Sequence, residues 1–425
     1  MTHASDRDLT IQLQAEFDNS QGVLQTNSKQ LKLETGLLNN TGGLLFSAHD
    51  LDIQTQQHAV INTDTQDPAM KRGIQAMGNV NLNANALNND KGVLLAGNDL
   101  SLTLQGDHVT HGVMVAGRDM GLQTTGDLTN QIAIRVGRNL SVSAQSIDNT
   151  VSGELVSGNN TQLMATKDFT NRGLVDGGHT QINSESLTNL GTGRIYGDRI
   201  SIAAHDLINK EEWVGTIQKA ATIAARNELD IGAHTIVNQE HALIYSGSDM
   251  AIAGALDNAR RATGTANTLT NSSATIESGN QLTLHSADTL NVDAHIKIEP
   301  QVSTQSISEG DNPRYDYTRT ITEDKLVLAD PAKIISASNM ALSEGAFKNL
   351  DSKVLAGGQL TKSGTSVENN ERLGTKTTHD VGTMTKFNVR YCRFGSPFGC
   401  IYHDYKDETY AWQRAPVIET LNLTQ

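Results

Sequence analysis

Few residues of this chain are equipped for chemistry, and their spacing decides what chemistry they can do. Both cysteines lie in Cys392-Arg-Phe-Gly-Ser-Pro-Phe-Gly-Cys400. Gly395-Ser-Pro-Phe-Gly399 has the composition of a turn, so Cys392 and Cys400 are placed to close a hairpin disulfide; two free structural thiols are the other reading. With only His403 nearby, the pair falls short of a zinc set. The 13 histidines show no His-Glu-x-x-His or paired metal spacing and read as surface or corner residues. No Gly-x-Ser-x-Gly elbow or phosphate loop occurs. Asp and Glu fall mainly where the chain turns, without a repeated acidic cluster. No catalytic, cofactor-binding or metal-ligating residue is therefore assigned, and no small-molecule substrate is expected.

Recognition is the chemistry that the sequence concentrates. From about residue 371 onward lie Phe387, Tyr391, Phe394, Phe398, Tyr402, Tyr405, Tyr410 and Trp412, in a chain whose aromatic share is only 4%. Tyr, Phe, Trp and Arg are the side chains enriched at interfaces and their hot spots. Tyr391, Phe394, Phe398, Tyr402, Tyr405, Tyr410 and Trp412 are thus the candidate partner-binding residues. The competing reading is that they pack as a cap over the preceding structure.

The elements that must position them come from a repeat. An apolar-x-Asn triplet recurs at Phe17-Asp18-Asn19, Leu37-Leu38-Asn39, Val60-Ile61-Asn62, Leu87-Asn88-Asn89, Leu128-Thr129-Asn130, Ile147-Asp148-Asn149, Phe169-Thr170-Asn171, Leu187-Thr188-Asn189, Leu207-Ile208-Asn209, Ile236-Val237-Asn238 and Leu256-Asp257-Asn258. Val109-Thr110-His111 fills the one gap with a different polar residue. Many triplets are followed by Gly-x-x-apolar-x-apolar, as in Gly97-Asn98-Asp99-Leu100-Ser101-Leu102 and Gly137-Arg138-Asn139-Leu140-Ser141-Val142. A short apolar piece such as Gly92-Val93-Leu94-Leu95-Ala96 lies between the two blocks. Each unit therefore carries about three short strands broken by Gly and Asn corners.

Such a trio cannot bury its own apolar face, whereas stacking it on the next closes a continuous interior. The expectation is an all-β, right-handed parallel β-helix (solenoid) with extrahelical excursions. Asn is expected at corners because it tolerates left-handed geometry and its amide can bond the Asn above and below; Gly is expected where φ is positive. About fifteen coils at the inter-strand spacing would make a rod on the order of 70 Å long. Leucine-rich and calcium-binding β-roll repeats are excluded by their missing signatures.

Composition narrows the function classes. The formal charge of −14 argues against a heparin, nucleic-acid or anionic-lipid stripe. No apolar run reaches membrane-spanning length, and the start, Met-Thr-His-Ala-Ser-Asp-Arg-Asp, lacks the apolar core of a signal peptide.

The quoted repeats resemble those of two-partner-secretion exoproteins, the group of filamentous haemagglutinins and CdiA-type contact-dependent inhibition effectors. Phe169-Thr-Asn-Arg-Gly-Leu-Val-Asp-Gly-Gly178 and Leu187-Thr-Asn-Leu-Gly-Thr-Gly-Arg-Ile-Tyr-Gly197 carry the likeness, as do Lys219-Ala-Ala-Thr-Ile-Ala-Ala225 and Glu240-His-Ala-Leu-Ile-Tyr-Ser-Gly247. It covers about residues 9 to 296. The resemblance implies export through a dedicated outer-membrane transporter, a rod at the bacterial cell surface, and a receptor on a neighbouring cell. It also implies a longer chain; since Leu9-Thr10-Ile11 already matches the end of a unit, this one reads as a fragment or a truncated reading frame. Export favours the disulfide reading of Cys392 and Cys400.

The organisation expected is then a haemagglutinin-repeat β-helix over 1–296, a hairpin-like excursion over 297–333, resumed coils over 334–370, and an aromatic-rich extrahelical or capping segment over 371–425. Val367-Glu368-Asn369-Asn370 resembles the tetrapeptide that precedes toxin domains in contact-dependent inhibition effectors, and reads equally as another apolar-x-Asn corner. The function expected is a structural and adhesive rod segment, not an enzyme, that mediates cell–cell contact or presents a contact-dependent inhibition effector. The alternatives are a C-terminal toxin enzyme and a glycan-cleaving β-helix.

Overall fold

Period-2 apolar alternation and frequent corners give strands throughout: among the described residues, every regular element of the computed structural model is a β-strand. It describes residues 2–3, 8–27, 30–67, 69 and 71–423; Met1 and Ala4–Arg7, part of the stretch read for a leader, lie outside them. The chain divides into two compact units, Met1–Val292 with Ala332–Asn349 and Lys353–Glu368, and Asp293–Pro331 with Leu350–Ser352 and Asn369–Gln425.

The first unit is a parallel β-helix. In one coil, Val93–Ala96, Leu100–Leu104 and His108–Val109 each pair in parallel with the strand one coil on: Val113–Ala116, Asp119–Thr124 and Leu128–Asn130. Register follows the repeat, so like stacks on like. Leu9, Leu31, Leu51, Val80, Leu100, Met120 and Leu140 form one column, a connected apolar interior with no helix or second sheet needed to cover it. Thr161 and Thr180 continue that column fully buried. Their hydroxyls donate to Asp176 O at 2.7 Å and Tyr196 O at 2.6 Å, which removes the cost of burying them.

Beside the apolar columns runs a hydrogen-bonded amide ladder. Asn130 Nδ2 donates to Asn149 Oδ1, Asn149 to Asn171 and Asn171 to Asn189, each at 2.8 Å. The series continues through Asn209, Asn238, Asn271 and Asn291 to Asn349. None of these asparagines is among the described residues with positive φ. They occupy the corner because a buried carboxamide can donate to one coil and accept from the other, not because the backbone is left-handed. Glycine splits into two roles. Gly42 has φ of +60°, but at Gly92 a Cβ would stand 2.1 Å from Asn62 O and 2.2 Å from Asn89 Oδ1, so close approach excludes a side chain there.

Three expected rungs differ. The second is Asn40 rather than Asn39, because Phe17 pairs with Leu38 and Asn19 donates to Asn40 at 2.7 Å. In the gap coil, His108 pairs with Leu128, so Thr110 and not His111 takes the ladder place and donates to Asn130 Oδ1 at 2.8 Å. Leu256-Asp257-Asn258 is no rung at all. It belongs to a side hairpin, Ala255–Leu256 against Ala262–Thr263, and Asn271 is the rung of that coil. Arg260 fastens the hairpin to two earlier coils, donating to Ser201 Oγ at 2.6 Å, Asn183 Oδ1 at 2.9 Å and Ser201 O at 2.8 Å. A second side hairpin, Glu212–Val214 with Ile217–Lys219, is held at its base by Arg172 on Glu212 at 2.8 and 2.9 Å, and it displays Trp213 to solvent.

The second unit is a four-stranded antiparallel sheet in the order Lys297–Glu309, Arg314–Leu328, Leu373–Ser396, Gly399–Asn422. The excursion and the aromatic-rich segment are thus one sheet. Arg314 pairs with Thr385, the last pairing of the two central strands in that direction. Beyond it, Lys386–Ser396 and Gly399–Glu408 run on as a two-stranded ribbon on the order of 35 Å long at the usual strand rise.

Candidate partner-binding surface

A two-stranded ribbon is marginal alone and needs fastening at both ends. At its root, Phe387 N donates to Asn312 Oδ1 at 3.0 Å and the Arg314 guanidinium lies 5.2 Å from the Phe387 ring centroid. Near its end, Cys392 and Cys400 are disulfide-bonded with their Cα atoms 5.7 Å apart. Between these points the candidate aromatics divide.

Trp412 is committed to the sheet. It pairs across the strands with Gly382, where a Cβ would stand 2.1 Å from Asp316 O. Its ring lies 5.1 Å from Tyr315 and 5.0 Å from Tyr317. The neighbouring charges are arranged about it. Arg319 donates twice to Asp380, at 2.8 and 2.9 Å, and Arg414 stands 5.5 Å from the Trp412 centroid and 3.7 Å from Asp380. The Arg319 hydrogen bonds hold the buried Asp380 carboxyl below its ordinary pKa. Tyr317, only 5% exposed, donates to Glu309, and burial followed by that carboxylate pushes its phenol up.

The other candidates face solvent. Tyr391, Phe394, Tyr402, Tyr405 and Tyr410 are exposed, and Phe398 at the turn is 100% exposed. Lys406 stands 5.2 Å from the Tyr391 centroid and Lys386 stands 5.9 Å from that of Tyr410, while Tyr410 donates to Glu408. Arg393, Phe394, Tyr402, His403 and Asp404 surround an open recess of about 580 Å³ near the turn. Six of the seven candidates are thus displayed on the ribbon and its root, and one is its anchor. Sequence reasoning did not place Tyr315, Tyr317, Arg319 and Asp380 beside them, because their strand pairs with a segment about sixty residues away. The alternation at Tyr315-Asp-Tyr317 shows a strand but not its partner.

On the first unit, Asp127, Asp148 and Asp168 line one groove of about 440 Å³ with Arg172, Thr129, Thr170 and Thr188. They do not stack as a column: Asp148 is in register with Thr129 and Thr170, and Asp127 and Asp168 are two coils apart. Arg172 is already engaged by Glu212. Among the described residues no group of three or more His, Cys, Asp or Glu is arranged to hold a metal.

The coil geometry and the amide ladder agree with a comparison against known families. A haemagglutinin-repeat model matches residues 2–62, 75–136, 109–173, 135–209 and 214–298. The chain belongs to the haemagglutinin-repeat family. The last match ends where the antiparallel strand Lys297–Glu309 begins, so the matched residues lie almost wholly in the coil. Haemagglutinin-repeat regions are structural and adhesive parts of secreted surface proteins. No curated protein and no solved structure matches the chain.

Proposed function

We propose that this haemagglutinin-repeat chain is a spacer and contact segment of a bacterial cell-surface adhesin. The coil supplies a stiff support, and the ribbon Lys386–Glu408 makes the contact with a receptor on a neighbouring cell. The observation that carries this is the contrast in surface chemistry. Outward positions of one coil column, from Lys32 through Ser101 and Ser141 to Gln181, carry no aromatic side chain, whereas the ribbon and its root display six aromatics braced by a disulfide. Rigid aromatic side chains lose little entropy on binding, which is what a contact surface requires. Export through an outer-membrane two-partner-secretion transporter fits the disulfide, which an oxidising compartment sustains. Presentation of a contact-dependent inhibition effector is the longer-range use of the same support.

The test removes Lys386–Glu408, rejoins the strands through a short turn, and compares cell adhesion and melting with the parent chain. Lost adhesion with unchanged melting supports the contact role; unchanged adhesion overturns it. A second reading, glycan cleavage on the coil, is favoured only by the groove holding Asp127, Asp148 and Asp168. Reducing-sugar release from polysaccharides that is abolished by Asp148→Asn would support it, and no release would remove it.

A further inference from the structure

Along the ribbon the side-chain chemistry changes in order. At the turn stands Phe398, and behind it Phe394 and Ile401, 63% and 53% exposed. Tyr402 pairs with Phe394 at the same depth; Tyr391 and Tyr405 come next, and among the tyrosines stand Arg390, Arg393 and Lys406. An apolar turn, then a mixed aromatic level, then tyrosines interleaved with cations follows the layering of a bilayer interface: phenylalanine at the acyl boundary, tyrosine among the headgroups, arginine and lysine at the phosphates. A protein pocket imposes no such order. Ile401 and Tyr402 are both exposed, at a register shift of the ribbon. Apolar surface over the end of the ribbon suits surroundings that enclose the tip.

We propose that the disulfide-closed tip of the ribbon inserts shallowly into a phospholipid bilayer, with Phe398 at the acyl boundary, Phe394, Ile401 and Tyr402 at the headgroup level, and Arg390 and Arg393 at headgroup phosphates. This rests on the reading that the ribbon makes the partner contact, and names that partner as lipid. Depth is limited by the backbone. A two-stranded ribbon has two unpaired edges, and each unsatisfied amide costs too much deep in hydrocarbon. Strand rise places Tyr402 roughly 12 Å and Lys406 roughly 25 Å behind the turn, against an interfacial burial of about 5–10 Å. Only the turn therefore reaches the acyl boundary. The net charge of −14 disfavours approach to strongly anionic surfaces, so the bilayer expected is zwitterionic, with phosphates that Arg390 and Arg393 can meet. Arg393, the more exposed of its ion pair, lies 3.7 Å from Asp404 and can exchange that contact for a phosphate. The Cys392–Cys400 bridge fixes the turn beforehand and lowers the ordering cost of insertion.

The experiment sediments the full chain with sucrose-loaded phosphatidylcholine vesicles. It compares the parent with a Phe394→Ser/Phe398→Ser double variant and with Trp213→Ser, which alters the exposed tryptophan of the other unit. Melting curves serve as the fold control, since both phenylalanines are solvent-exposed. The expected result is co-sedimentation of the parent and of Trp213→Ser, with at least a tenfold loss of partitioning in the double variant. In a separate Phe398→Trp variant, the indole emission should shift to shorter wavelength on adding vesicles. No co-sedimentation, equal partitioning of parent and double variant, or an unshifted emission from the Phe398→Trp variant would each overturn the proposal. If the double variant loses cell adhesion while the parent ignores vesicles, the tip docks on a protein or glycan receptor; lipid insertion is then overturned and the contact role of the ribbon stands. If the ribbon-deleted chain still adheres, the underlying reading fails instead.

Discussion

His108 is the weakest point of the coil interior, and its behaviour can be worked out. Stacked in register with Leu128, Ile147, Phe169 and Leu187, it puts an imidazole in an apolar column. It is 5% exposed, and its Nε2 has no hydrogen-bond partner. Burial, with a smaller contribution from His111, lowers its pKa from 6.5 to about 4. The fold thus holds the neutral ring, while the unfolded chain binds the proton first as pH falls. Stability from this group is complete above pH 6.5 and is lost as pH falls toward about 4. The difference of about 2.5 units corresponds to about 3 kcal/mol, of which about 2.5 kcal/mol is lost by pH 4.5. His108→Leu removes both the titration and the unpaired nitrogen. It should stabilise the coil by on the order of 1–3 kcal/mol at neutral pH, and by about 2.5 kcal/mol more at pH 4.5. Urea unfolding of parent and variant at pH 7.5 and 4.5 reads the change in their difference, from which all other titrating groups cancel. A difference equal at the two pH values would show that His108 is not held neutral in the interior, and would refute the register assigned to that coil.

Other substitutions probe other parts of the account. Asn189→Leu strands the amides of Asn171 and Asn209, which bond Asn189 at 2.8 and 2.9 Å, and should cost on the order of 1–3 kcal/mol in urea unfolding; a variant that unfolds with the parent would remove the ladder argument at that coil. Gly92→Ala meets Asn62 O and should cost about 1–3 kcal/mol, whereas Gly121→Ala has open space around its new methyl group and should change stability by less than about 0.5 kcal/mol; equal effects would discredit the steric reading of Gly92. Arg260→Met leaves Asn183 and Ser201 without their charged donor, and amide exchange across Ala255–Thr263 should quicken about tenfold or more, while unchanged exchange would mean that the arginine fastens nothing.

The coil was readable because its determinants are local and recur. One apolar-x-Asn triplet per turn of the solenoid marks both the interior and the corner, and family membership follows from the same residues. The reading slipped where local pattern and register part company. Leu37-Leu38-Asn39-Asn40 offers two asparagines, and only pairing with Phe17-Asp18-Asn19 selects the second. At His108 a polar residue sits where an apolar one belongs, so the triplet was aligned one place late. Leu256-Asp257-Asn258 imitates a rung inside a loop, and length alone does not distinguish them. The antiparallel unit is harder still. Its strands are visible in the alternation of 315–322, but the partner of Arg314–Glu323 is Lys376–Thr385, a contact that no repeat announces. The groove that Asp127, Asp148 and Asp168 line is not visible in the sequence either, since its lining comes from successive coils. For the disulfide, the turn between the two cysteines showed that the pair could close, and the export implied by the family resemblance favoured the bonded reading over two free thiols.

The central claim is that consecutive repeats stack in parallel, one strand spacing per coil. Lys32, Asp52, Asn81, Ser101, Gly121, Ser141, Gln162 and Gln181 form one outward column in register. Spin labels placed by cysteine substitution at Lys32 and Gln181 should therefore give a narrow distance distribution near about 34 Å in pulsed electron resonance, although the two sites are far apart in sequence. Moving the first label to Asp52 should shorten the distance by about 5 Å, the width of one strand spacing. A broad distribution, or one that does not shorten when the label moves one coil, would contradict the stacked-coil account.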